Sequence, residues 1–163
     1  MRLPALDNLV VAKQLKVEPS NDAELGRMLA MARSRLADAH QANVSLEGRF
    51  TSAYNAAHVA ALAMLRWHGY RSENRYVVFQ CLEHTLQWAP SRWRIFSNAH
   101  QKRNLAEYEG YLEIEESGLD ALRDMAALLK MRLSRLPVDP NPHKHTPGIR
   151  VTVSYFTGRP KNG

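Results

Sequence analysis

Apolar residues recur along this chain at intervals of three and four for most of its length. That spacing predicts amphipathic helices rather than strands. A first helix is expected from about Ala5 to Lys16, with Leu6, Leu9, Val10 and Leu15 as its apolar positions and Pro19 beyond it. Asn21 can cap a second helix, and Glu24, three residues on, can reach back to the Asn21 amide. Leu25, Met28, Leu29, Ala32 and Leu36 then carry the helical stripe to about His40. Ser45 reads as the cap of a third helix that runs to Trp67 or His68, with Gly69 as its stop. Its stripe is Phe50, Tyr54, Ala57, Ala61, Met64 and Leu65, and its neighbouring alanines Ala53, Ala56, Ala60 and Ala63 allow another helix to approach closely.

A fourth helix is expected over Glu73 to Trp88, a fifth from a Ser91 cap to about Gly110, and a sixth from Leu119 to Leu136, closed by Pro137. The fold class is therefore all-α, an antiparallel helical bundle spanning residues 1–136. Its core is expected to include Leu29, Tyr54, Ala57, Ala61, Leu65, Phe79 and Leu122. A second region, 137–163, is a Pro-rich basic tail. Three prolines between Val138 and Gly148 forbid regular helix there. Beyond them Ile149, Val151, Val153 and Tyr155 alternate with Arg150, Thr152 and Ser154 in the manner of a strand.

The 163 residues suit one domain, and 45% apolar with 23% charged residues is a globular balance. The single cysteine, Cys81, lies among Val77, Val78, Phe79 and Leu82. It reads as a core residue, and it can form no intramolecular disulfide. No apolar run reaches the roughly 18 residues of a membrane span. The opening MRLPALDNLV has a proline and an aspartate where a secretory signal would be apolar. The expected location is the cytoplasm, with no membrane partner. His143 and His145 lack further ligands at recognisable spacing, so no metal and no other cofactor is expected.

The net charge of +6 admits an anionic partner. Its distribution says more. From Arg92 to Arg103 there are four basic residues and no acidic one, whereas from Glu107 to Asp124 there are seven acidic residues against one base. A positive surface bordered by a negative rim would suit phosphate, with Arg92, Arg94, Lys102 and His100 as candidate nucleic-acid contacts. Trp88 and Trp93 flank Pro90 beside this run; they can anchor the turn between helices or stack on bases.

Most helices resolve into a core face and a solvated face. The fifth does not: SNAHQKRNLAEYE has only Leu105 and Tyr108 as large apolar residues. Helical spacing sets His100 over Arg103 and Asn104, Arg103 over Glu107, and Asn104 over Tyr108. A cation, an amide, an imidazole, a carboxylate and a phenol on one face can bind phosphate and move a proton. The competing expectation is an ordinary surface ion pair between Arg103 and Glu107.

The order KRNLAEYEG late in a small bundle resembles the motif helix of the HEPN family, small helical domains of prokaryotic toxins, antiviral nucleases and nucleotidyltransferase partners. The likeness covers the architecture of residues 20–136 and about ten residues of motif. Arg103 matches the family's arginine and Asn104 its polar residue; Tyr108 stands where the family has histidine. The resemblance implies a homodimer that sets two motifs side by side. It also implies metal-independent cleavage of RNA, in which the ribose 2′-hydroxyl attacks the adjacent phosphate, with Arg103, Asn104 and Tyr108 as the catalytic positions. A tyrosine, with an ordinary pKa of about 10, is a poor base near neutrality. The resemblance therefore carries a second expectation, a non-catalytic dimeric module that partners a nucleotidyltransferase or another effector. A regulatory nucleic-acid-binding protein is a third, although no clear helix-turn-helix supports it.

Overall fold

The computed structural model describes residues 2–138. The strand-like segment 149–155, the histidines at 143 and 145 and nearly all of the tail lie outside the described residues. Among the described residues, seven helices and one two-stranded pair follow in the order α1 (Pro4–Val11), β1 (Lys16–Val17), α2 (Asp22–Asp38), α3 (Leu46–Trp67), β2 (Tyr70–Arg71), α4 (Arg75–Gln80), α5 (Leu82–Thr85), α6 (Pro90–Glu109) and α7 (Glu116–Ser134). The chain is an all-α bundle. None of its described helices is long and apolar enough to cross a membrane.

Helix α3 is the centre. α2 and α7 pack against it and against each other, while α4, α5 and α6 cover it elsewhere. Its alanines explain the close approach: Ala53, Ala56, Ala57, Ala60, Ala61 and Ala63 are all buried. Around them lie Phe50, Tyr54, Leu65, Phe79, Phe96, Leu122 and Leu129, also buried, whereas Leu29 packs on the core only partly covered. The caps form as their residue types require. Asn21 Oδ1 accepts the Glu24 amide at 2.9 Å and Ser45 Oγ accepts the Gly48 amide at 3.1 Å. Gly69 and Gly110 take positive φ, +88° and +75°, just past α3 and α6, the conformation in which a side chain would be strained.

Four boundaries differ from the sequence expectation, each for a physical reason. The first helix stops at Val11, because Lys13 turns with φ +60° and lets Leu15 enter the core. Lys16 and Val17 then pair antiparallel with Arg71 and Tyr70. The fourth helix is two pieces. Val77, Val78, Phe79, Cys81 and Leu82 are all buried, and five of six consecutive residues cannot share one face of a straight helix. The chain redirects at Cys81, whose carbonyl accepts from the His84 and Thr85 amides. Burial also raises the Cys81 thiol to about 12, so it is a core residue and not a nucleophile. Ser91 is not the cap of α6: Ala89 occupies that place without a side-chain bond, and Pro90 begins the helix. The last helix starts three residues early, at Glu116.

Glu24 does not reach back to Asn21. Its carboxylate takes a bidentate pair from Arg66, at 2.8 Å to Nε and 3.0 Å to Nη2. Arg66 is 2% exposed. Its Nη1 also donates to the Glu18 carbonyl at 2.6 Å and its Nη2 to the Pro19 carbonyl at 3.0 Å. The Ser20 hydroxyl returns a bond to the Arg66 carbonyl at 2.7 Å. One guanidinium thus fastens the β1–α2 connection to the end of α3. The Arg66 bond holds the Glu24 carboxyl below the usual carboxylate range.

Replacing Arg66 with alanine leaves the half-buried Glu24 carboxylate and the Glu18 and Pro19 carbonyls without their donor. The expected cost is about 3–5 kcal/mol, and the thermal midpoint should fall by roughly 10 °C. Calorimetry of the variant checks this; a drop of only a degree or two would mean that the β1–β2 end does not depend on the pair.

Candidate functional site

The second polar centre on α3 is Tyr54, fully buried. Sequence spacing makes it core, and it is, but its ring is also the floor of a charged cluster. The Tyr54 hydroxyl oxygen accepts from Arg75 Nη1 at 3.1 Å and lies 2.8 Å from His100 Nδ1. Asn104 Nδ2 is 3.1 Å from His100 Nε2. With the amide in this orientation Asn104 donates to Nε2, so the imidazole proton lies on Nδ1 and is donated to Tyr54. The His100 ring stacks on Tyr54 at 5.9 Å. Arg75 and Arg103 stand over the same ring, 5.6 and 5.2 Å from its centroid.

These contacts tie three helices: Tyr54 comes from α3, Arg75 from the start of α4, and His100, Arg103 and Asn104 from α6. Asn74 fixes the start of α4 by accepting the Val77 amide at 3.2 Å. His58, one turn after Tyr54 on α3, packs edge-on against Phe79 at 5.9 Å. Burial first, then the charges of Arg75, His100 and Arg103, lower its pKa to about 4. Burial and the same two arginines also hold His100 below the ordinary imidazole value, with Glu107 acting the other way. Both imidazoles are accordingly uncharged near neutral pH.

Neither arginine has an acidic partner. Among the described residues no carboxylate comes within 4 Å of Arg75 or Arg103, and the expected Arg103–Glu107 surface pair does not form. Among the other described arginines, Arg2, Arg35, Arg49, Arg66, Arg71 and Arg123 have one, and Arg27, Arg33, Arg92, Arg94, Arg132 and Arg135 do not. Two guanidiniums against one aromatic ring, neither with a carboxylate within 4 Å, are suited to an anion.

The expected site residues therefore separate. His100, Arg103 and Asn104 come together as their spacing implies. Tyr108 does not join them: it is 90% exposed. Lys102 faces α7, where it lines a cavity with Gly118, Ala121 and Leu122. Arg92 and Arg94 sit at the start of α6 over the rings of Trp88 and Trp93, at 5.9 and 5.7 Å. Both tryptophans are buried, Trp88 against Phe96 and Trp93 against Tyr76, so they anchor the turn and do not present faces to bases. The residues that spacing alone misses are Tyr54, His58 and Arg75. The first two lie in an apolar stripe and the third two elements away.

Beside the cluster, a groove of about 560 Å³ runs between the start of α3 and the end of α6, with Arg103 in its wall together with Ser45, Thr51, Glu107 and Tyr111. Compared with known proteins, the chain matches no family model, no curated protein and no solved structure.

The depressed His58 value has a consequence for stability. A histidine whose folded pKa lies below its unfolded one disfavours folding once protonation begins in the unfolded chain. Stability is therefore full above about pH 6.5 and falls as the pH drops toward about 4. The contribution is on the order of 3 kcal/mol. His58→Leu should flatten that part of the stability profile, measured by denaturant unfolding from pH 7 to 4. An unchanged slope would show that the His58 ring is solvated.

Proposed function

We propose that the Arg75–Tyr54–His100–Arg103 cluster binds the phosphodiester of RNA, and that the protein is a metal-independent ribonuclease or RNA-binding protein of the HEPN type. The observation that carries this reading is the pair of arginines converging on Tyr54 with no carboxylate to neutralise them. Arginine forks match phosphate oxygens in pairs. The adjoining groove offers room for a nucleotide on the Arg103 side.

In this reading the proton-transfer role moves from Tyr108 to His100. His100 is held neutral by burial and by its arginine neighbours, and its Nε2, once the Asn104 amide turns away from it, can accept the proton of a ribose 2′-hydroxyl. The 2′-oxygen then bonds to phosphorus as the bond to the 5′-oxygen breaks. The strand ends are a 2′,3′-cyclic phosphate and a 5′-hydroxyl. The protonated His100 then returns that proton through water to the leaving 5′-oxygen, which leaves the imidazole neutral again, and a homodimer would set a second such site alongside. Cleavage should rise with pH while His100 loses its proton, and should level off before neutrality because its pKa is depressed.

A specific observation favours a second reading, the non-catalytic module that partners a nucleotidyltransferase or another effector. Leu105, Tyr108 and Tyr111 stand 54%, 90% and 61% exposed along the last turns of α6 and just beyond. A row of large apolar side chains at a helix end suits a protein partner. A toxin-like role would fit either reading.

The test is incubation of the protein with a mixed RNA pool in the presence of a chelator, followed by end-group analysis and a binding assay. Arg103→Ala should lower cleavage or binding by about tenfold or more, the loss of one charge-assisted pair. Its thermal midpoint should not fall, since Arg103 is half-buried beside a second cation with no carboxylate to balance it. Arg103→Lys should recover part of the binding. If the parent neither cuts nor retains RNA, the partner module stands and the ribonuclease reading is abandoned.

A further inference from the structure

On the side of α6 away from Tyr54 a groove of about 310 Å³ runs between the end of α6 and the start of α7. Its apolar surface comes from Leu105 and Tyr111, both more than half exposed. Its rim carries Glu109, Glu113 and Glu115 against a single base, Lys102. Among the described residues none of these carboxylates has a basic group within 4 Å. An apolar floor with an acidic rim suits an apolar, basic segment.

The chain contains one. Residues 140–163 hold Lys144, Arg150, Arg159 and Lys161 and no acidic residue at all, so four of the six net positive charges lie there. Within them Ile149, Val151, Val153 and Tyr155 alternate with Arg150, Thr152 and Ser154, which gives an extended segment one apolar edge. The reach is sufficient. The groove lies at the start of α7 and the tail leaves from its other end; the 19 residues of α7 span about 28 Å. Residues 139–148, with Pro140, Pro142 and Pro147, cover about 31 Å when extended at the polyproline rise. A linker of that length spans the distance to the groove.

We propose that Ile149–Arg159 docks into the α6–α7 groove of its own chain, with its apolar edge on Leu105 and Tyr111 and its arginines toward Glu109, Glu113 and Glu115. The docking rests on charge and on apolar contact together, so it weakens with salt. It does not depend on the Tyr54 cluster, with which the groove shares no residue, although Tyr111 also lines the groove beside Arg103.

The test uses the full chain and follows the initial rate of trypsin cleavage after Arg150 by mass spectrometry. At low salt this rate should be about tenfold slower in the parent than in a Glu109→Gln, Glu113→Gln, Glu115→Gln variant, equivalent to about 1.4 kcal/mol of docking. All three glutamates are exposed, so the variant should keep its fold, which circular dichroism checks. In the parent, about 1 M salt should remove the protection. Equal rates in parent and variant would overturn the proposal. So would protection that grows with protein concentration, because the groove would then be filled by the tail of a second copy.

Discussion

Helix α3 is covered by other helices along most of its length, and that constraint shapes the whole molecule. A helix in this position must be small and apolar where neighbours approach, and the row of buried alanines meets that need. It must also find partners for any polar group it carries inward, because a buried polar atom without one is costly. Two such groups on α3 are Arg66 near its end and Tyr54 in its first half. The structure satisfies them in opposite ways. Arg66 is matched by the Glu24 carboxylate and by backbone carbonyls. Tyr54 is matched by Arg75 and His100, which brings positive charge in and leaves it unneutralised.

That contrast separates architecture from function. A buried arginine with a bidentate carboxylate has all the counter-charge it needs and can serve only to hold elements together. Arginines stacked over a tyrosine, beside two imidazoles kept neutral by burial and by those arginines, are incomplete as a structural motif. Their mutual repulsion disfavours the folded state unless an anion sits among them. The proposal that this anion is an RNA phosphate follows from that deficit.

Much of the fold was legible from the sequence because local signals set it. Asn21, Ser45, Gly69 and Gly110 mark helix ends through their own hydrogen bonds or their tolerance of positive φ, and the alanine stripe marks the central helix. The β1–β2 pair was not legible, since two residues on each side give no alternation to read. Nor was the break at Cys81, which arises because a continuous apolar run must be buried on several sides. In the site, spacing within α6 found His100, Arg103 and Asn104. It could not find Arg75, His58 or the second use of Tyr54, because their meeting depends on how α3, α4 and α6 pack. Tyr108 was expected from spacing and from the family pattern, yet its side chain stands out in solvent.

The central claim is that a phosphate sits against Arg75, Arg103 and His100. Its most direct test is the titration of the His100 imidazole, followed by nuclear magnetic resonance with and without a short RNA strand bound. Free protein should show His100 titrating below the ordinary value near 6.5, because burial and the two arginines disfavour its charge. A bound phosphate would offset those arginines and attract the imidazolium, so the pKa should rise clearly on RNA binding. A titration curve that RNA leaves unmoved would contradict the account, since no phosphate could then lie within the cluster.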